Sequence, residues 1–233
     1  MLKGVRVRVP PRAFEQKYMT ITWLGQACFK IQTTHKLLII DPYDEKIGFT
    51  LPKVNADVVL MTHSHYDHSN SGAFPSAATI IKEPGEYMVD DIAIKGIQTF
   101  HDEVGGQKRG LNTIYRIESE GVVLLHMGDF GESQLRQETI DAIGDIDILM
   151  IPVGGTYTVD GTQAAIMAKK TGAKIVIPMH YLIPELKIPL NDVKLFLEKM
   201  SDTDIAFQDR LEVTKEGLAS LRQEVVVLSR AVS

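Results

Sequence analysis

The segment His63-Ser64-His65-Tyr66-Asp67-His68 gathers three imidazoles and one carboxylate into six residues. That is more metal-ligating power than ordinary packing requires. It follows the apolar run Val58-Val59-Leu60-Met61 and leads into Ser69-Asn70-Ser71-Gly72. A strand therefore ends in a polar, flexible loop, where catalytic groups are commonly mounted. In extended chain the side chains alternate, so His63, His65 and Asp67 start on one side with His68 out of phase. A loop that curls can aim two of these groups at one ion and the other two at its neighbour. The helical zinc signature H-E-x-x-H needs a spacing of four, which this segment does not have. A single histidine is most often solvated or packed, but four ligand-type residues at this spacing argue against coincidence.

The remaining ligand-type residues fall at matching places. His101 closes the strand-like run Ile92–Phe100, Asp129 follows Leu124-Leu125-His126-Met127-Gly128, and His180 ends Ile175-Val176-Ile177-Pro178-Met179. Each stands at the C-terminal lip of an apolar strand. Strand ends that converge on one sheet edge would build a single polar pocket on a rigid frame. Imidazole and carboxylate donors suit zinc, and they also accept manganese, iron or nickel. Cys28 is the only cysteine, which rules out a thiolate cluster.

This order of residues (H-x-H-x-D-H, a further His, Gly128-Asp129, a late His) resembles the metallo-β-lactamase superfamily. Thr22-Trp23-Leu24-Gly25-Gln26-Ala27-Cys28-Phe29 and Ile39-Ile40-Asp41-Pro42 look like the opening strands of that fold. Pro152–Asp160 and Ile177-Pro178-Met179-His180-Tyr181 are similar to the branch that includes ascorbate-6-phosphate lactonase and N-acylphosphatidylethanolamine phospholipase D. The resemblance spans about residues 19 to 228. It implies an α/β fold, an αββα sandwich of two mixed β-sheets flanked by helices.

It also implies two divalent metal ions, zinc in the first place. His63, His65 and His101 would hold one ion, Asp67, His68 and His180 the other, and Asp129 would bridge them. Asp67 would in addition act as the catalytic carboxylate that orients the attacking water. The activity implied is metal-dependent hydrolysis of an ester, lactone or phosphodiester bond in a small molecule. Two other readings compete with it: a metal-loaded scaffold without turnover, and iron-dependent redox chemistry. No G-x-S-x-G nucleophile motif is present.

Other residues attract attention for weaker reasons. His126 lies within a strand of opposite phase to a ligand position, so a packed or supporting role is favoured over direct ligation. Asp41 ends a strand and can orient a ligand histidine, or can serve as a turn residue before Pro42. His35, in the polar turn Thr33-Thr34-His35-Lys36, reads as solvated. Arg109, Asn112, Tyr157 and Tyr181 flank the expected pocket without a spacing that assigns them a role.

Composition sets outer bounds. An apolar content of 44% with 24% charged residues fits a soluble globular chain. No run of eighteen apolar residues and no secretory h-region stands out, and a single cysteine fits a reducing compartment, so a cytoplasmic location is expected. A net charge of −5 disfavours nucleic-acid phosphate as the main partner. Leu182-Ile183-Pro184 could form a contact surface in a homo-oligomer, or a loop packed on its own domain.

The elements that must position the site read as a β-rich half followed by an alternating α/β half. Strands are expected at 20–24, 27–33, 36–41, 57–62, 78–82, 86–89, 92–100, 111–118 and 121–127. A helix is expected from about 132 to Gly144, with Leu135, Thr139, Ala142 and Ile143 on one face. Strand 146–151, helix 161–171 with Asp160 as N-cap and Gln163 reaching back, and strand 174–179 follow. Val193, Phe196, Leu197 and Met200 mark a third helix, and a last strand lies near 224–228. Residues 19–233 read as one domain. Residues 1–18, with Lys3, Arg6, Arg8, Arg12 and Pro10-Pro11, read as a basic extension outside it. A chain beginning at Met19 should therefore fold and turn over substrate like the full chain; loss of soluble expression or activity on this truncation would contradict the boundary.

Overall fold

The structure is a computed structural model and describes residues 18–74, 79–201 and 207–231. Apart from Tyr18, the expected N-terminal extension lies outside the described residues. The first half supplies β1 (Met19–Gly25), β2 (Cys28–Gln32), β3 (Leu37–Ile40), β4 (Val58–Leu60), β5 (Thr79–Ile81), β6 (Gly85–Val89), β7 (Ile92–Phe100), β8 (Leu111–Ser119) and β9 (Val122–His126). The second half alternates α1 (Gln137–Ile143), β10 (Ile148–Pro152), α2 (Gly161–Thr171), β11 (Ile175–Met179) and α3 (Lys194–Met200). It closes with β12 (Phe207–Gln208), β13 (Leu211–Val213), α4 (Lys215–Leu218), β14 (Glu224–Val225) and β15 (Val227–Leu228).

Two mixed sheets result, in the orders β13-β1-β2-β3-β4-β5 and β14-β11-β10-β9-β8-β7-β6. Period-two patterning decides what each strand faces. Leu38, Ile40, Val58 and Leu60 join Ile94, Tyr115, Ile117, Leu124 and Met150 of the other sheet in one core. Ile39 and Val59 point the opposite way, into a second cluster with Tyr43, Ile47, Phe49 and Ile188. The runs Ile148–Pro152 and Ile175–Met179 are buried at every position, because they are parallel neighbours in the middle of a sheet and covered on both faces. α2 packs on β10 and on α3. The architecture is an αββα sandwich.

Several boundaries differ from expectation, for local reasons. The first helix starts at Gln137 and not near 132. The Glu132 carboxylate accepts from the Phe100 N–H at 3.2 Å and from Arg136 at 2.7 Å, which fastens residues 132–136 to β7 in place of a helical turn. The last strand divides: β14 extends the second sheet beside β11, and β15 pairs with β12. β13, three residues long, pairs antiparallel with β1 as an edge. So short a strand carries too little alternation to be read from sequence.

The reciprocal cap of α2 forms as expected. Asp160 accepts from the Thr162 and Gln163 N–H groups, and the Gln163 side chain accepts from the Asp160 N–H. Asp160→Ala should lower the unfolding free energy by about 1 kcal/mol in urea titration; an unchanged midpoint would show that the cap contributes nothing to the fold.

Candidate metal centre

Four strand ends open onto one edge of the sandwich. β4 leads to Met61-Thr62-His63, β7 to His101, β9 to Met127-Gly128-Asp129, and β11 to His180. The two sheets are tied together where the first of these leaves its strand. The Thr113 N–H donates to the Thr62 carbonyl at 2.8 Å, and the Tyr115 hydroxyl donates to the Met61 carbonyl at 3.0 Å. The loop then curls, as shown by the His68 N–H donating to the His65 carbonyl at 2.9 Å. That turn brings His68 onto the same side as its neighbours, overriding the alternation of extended chain.

Asp129 lies at the centre. Its carboxylate oxygens stand 3.2 Å from His101 Nε2, 3.3 Å from His68 Nε2, 3.3 Å from His180 Nε2 and 3.9 Å from His63 Nε2. Donor atoms of His63, His65 and His101 lie within 4.8 Å of one another, and so do those of Asp67, His68, Asp129 and His180. All seven residues singled out in the sequence thus meet in two adjoining groups. Gly128 makes the approach of Asp129 possible: it adopts φ +53°, and a Cβ there would stand 2.5 Å from Asn112 Oδ1. Asn112 Oδ1 in turn accepts from the Asp129 N–H at 3.0 Å. Asn112 is therefore a buried support for the Asp129 turn and not a substrate contact.

One buried carboxylate orients a histidine in each group. Asp41, left-handed at φ 48°, accepts from the Thr62 N–H and hydroxyl, both at 2.8 Å, and from His68 Nδ1 at 2.9 Å. The Thr62 hydroxyl proton is committed to Asp41, so its contact with His63 Nδ1 at 3.0 Å must be donated by the imidazole. His63 and His68 consequently carry a proton on Nδ1, and their Nε2 atoms face Asp129. His126 is arranged the other way: Nε2 donates to the Ala27 carbonyl at 2.8 Å and Nδ1 accepts from the Gly128 N–H at 3.1 Å. Both of its nitrogens are used, and it packs beneath the site. His35 is exposed, and Tyr181 is buried in a stack on Trp23 with centroids 5.1 Å apart.

The electrostatics are those of a crowded, enclosed cluster. Burial opposes ionisation of Asp129, yet the cationic forms of His180 and His68 outweigh it and hold its pKa well below the carboxylate norm. Burial likewise opposes a charged His68, but Asp129, Asp67 and Asp41 together push its pKa well above the usual histidine value. For His63 burial dominates, reinforced by His68, and its pKa falls. Among the enclosed atoms without a hydrogen-bond partner in the described residues are Nε2 of His63, His68 and His180, and Asp129 Oδ1. Such orphans are costly in a protein interior. A divalent cation would satisfy them, and the donor set of imidazoles and carboxylates fits zinc or another first-row metal.

Two functional neighbours gave no sequence signal. Gln26, fully buried at the β1–β2 turn, donates to Asp67 Oδ2 at 3.0 Å, and its carbonyl accepts from the His180 N–H at 3.0 Å. Thr62 links Asp41 to His63. Arg109 and Tyr157, by contrast, do line the cleft, together with Tyr66, Lys187 and Ile188.

Residues 20–180 match the family model described as a beta-lactamase superfamily domain. A "UPF0173 metal-dependent hydrolase" of Ligilactobacillus salivarius is 33% identical over 75% of this chain and 90% of its own length. One of the same description from Methanoculleus marisnigri is 28% identical over 81% of this chain and 92% of its own. Among solved structures, a Thermotoga maritima protein provisionally described as a Zn-dependent hydrolase of the metallo-beta-lactamase superfamily superposes with a TM-score of 0.71. It is 34% identical, and the match covers 91% of this chain and all of that one.

Replacing Asp41 strands three buried donors at once. Asp41→Ala should lower the unfolding free energy by about 3 kcal/mol, measured by denaturant titration; a loss below about 1 kcal/mol would mean that the Asp41 network is not needed to hold the loop.

Proposed function

The chain belongs to the metallo-β-lactamase superfamily, and on that premise we propose that it is a metal-dependent hydrolase with a dinuclear centre. His63, His65 and His101 would hold one divalent ion and Asp67, His68 and His180 the second, with Asp129 shared between the two groups. The observation that carries this reading is the division of seven side chains into two adjoining donor groups around one carboxylate. Zinc is the metal the donor chemistry suits first. The naming of relatives as metal-dependent hydrolases supports hydrolysis.

The chemistry such ions supply is a water acidic enough to ionise near neutral pH and a Lewis acid for the carbonyl or phosphoryl oxygen under attack. The chain's own residues do the positioning. The Nδ1–H groups of His63 and His68 are committed to Thr62 and Asp41, so each ring presents its lone pair inward without rotational choice. Gln26 holds one oxygen of Asp67, which leaves the other to accept a hydrogen bond from the attacking water and orient it. The substrate bond is an ester, lactone or phosphodiester, and the scale of the cleft, about 350 Å³, suits a small molecule.

The test is turnover of bis-p-nitrophenyl phosphate and a lactone panel, with metal content measured in parallel. Wild-type protein should be active, lose activity with chelator and regain it with added metal. His65→Ala and Asp129→Ala should each reduce kcat at least a thousandfold with an unchanged circular dichroism spectrum. Chelator-insensitive turnover, or activity that survives Asp129→Ala, would overturn the reading.

A further inference from the structure

Beside the donor groups the cleft floor changes character. The cavity of about 350 Å³ that exposes Asp67, Asp129, His65 and His101 is also lined by Arg109, Lys187, Tyr66, Tyr157 and Ile188. Arg109 and His65 also line a second hollow, of about 260 Å³, on the other flank. Arg109 therefore stands on the ridge between the two hollows. Two cations face the cleft of a chain whose net charge is −5, and among the described residues neither is engaged by a carboxylate. The Arg109 guanidinium donates to the Thr156 carbonyl at 3.3 Å and lies 5.2 Å from the centre of the Tyr157 ring.

Both cations are mounted on fixed backbone. Asp102, the residue after His101, accepts from the N–H groups of Val104, Gly106, Lys108 and Arg109 at 2.8–3.0 Å. That carboxylate organises the whole loop and sets where Arg109 leaves it. In a separate loop the Lys187 N–H donates to the Ile47 carbonyl at 2.8 Å, and the next residue, Ile188, is buried in the outer apolar cluster. Hydrogen bonds within the chain hold both segments. A guanidinium held beside an aromatic face, with its remaining N–H groups open to the cleft, is a receptor for a planar or tetrahedral oxyanion. Low-dielectric walls around it focus the field on the approaching group.

We propose that Arg109 and Lys187 form an anion subsite for a phosphate or carboxylate of the substrate that is separate from the bond cleaved, with Tyr66, Tyr157 and Ile188 receiving the apolar segment between them. This deepens the hydrolase reading and rests on it for the identity of the bond broken. Binding at the subsite itself is independent of turnover. The substrate class is thus a small amphiphilic anion, and neutral esters of the same size are discriminated against. Charge-assisted contacts of this kind are screened by salt, so affinity falls as ionic strength rises.

Calorimetric titration of the metal-loaded protein with phenylphosphonate, benzoate and neutral benzyl alcohol tests the subsite without requiring catalysis. Wild-type protein should bind at least one of the two anions, and benzyl alcohol at least fivefold more weakly. Whichever anion binds more tightly identifies phosphate or carboxylate as the natural group. Arg109→Ala and Lys187→Met should each weaken the anion at least fivefold while metal content stays the same; Arg109→Lys should recover part of the loss. Absence of saturable anion binding to wild type overturns the subsite; a loss below fivefold in both variants overturns it too and shows that the anion is held by the metal centre alone. Loss of anion binding in the variants of a protein that hydrolyses no ester would leave the subsite standing and remove the hydrolase reading.

Discussion

Asp129 is enclosed with four imidazole nitrogens within 3.9 Å of its oxygens, and much of the architecture answers to that crowding. Placing so many polar atoms in an interior is unfavourable unless each is hydrogen-bonded or coordinated. The protein meets most of this demand with committed partners. Asp41 fixes His68 and, through Thr62, His63. Asn112 fixes the Asp129 turn, and Gln26 fixes Asp67. Nε2 of His63, His68 and His180 is left unpartnered beside Asp129. A rigid two-sheet frame is needed because these supports come from four separate places, after β3, after β4, at the start of β8 and between β1 and β2, and a shift at any of them would misdirect a donor.

How well this could be read from sequence followed from distance along the chain. His63, His65, Asp67 and His68 were legible because they are contiguous and follow an apolar strand. His101, Asp129 and His180 were legible because each ends such a strand and matches a known order. The same rule of strand ends raised Asp41 without deciding its role, since a carboxylate before proline is also an ordinary turn residue. Gln26 and Thr62 were invisible: their contacts span long separations or depend on a hydroxyl proton's direction, and neither residue type is rare in turns. Lys187 was equally hidden, as one lysine in a loop whose path is set by tertiary contacts. Among elements, long strands with clean alternation were found nearly to the residue. The three-residue β13 and the divided β14 and β15 carry too few side chains for a period to show.

The supports and the cleft walls have different physical tasks. The Asp41–Thr62 pair holds donors still, whereas the loop organised by Asp102 and the segment anchored at Ile47 hold charges beside an open cavity. Family membership accounts for the first, because the fold brings these strand ends together. Chemistry within the fold is decided by what the loops add. In this chain they add an arginine, a lysine and two tyrosines to the lining of the cleft.

The most direct measurement is anomalous X-ray diffraction at the absorption edges of zinc, manganese, iron and nickel, on crystals of protein purified without chelator. Two peaks are expected, one within bonding distance of His63, His65 and His101 and one of Asp67, His68 and His180, with Asp129 reaching both. Imidazoles turned away from a common point, with no anomalous peak among them, would contradict the dinuclear centre.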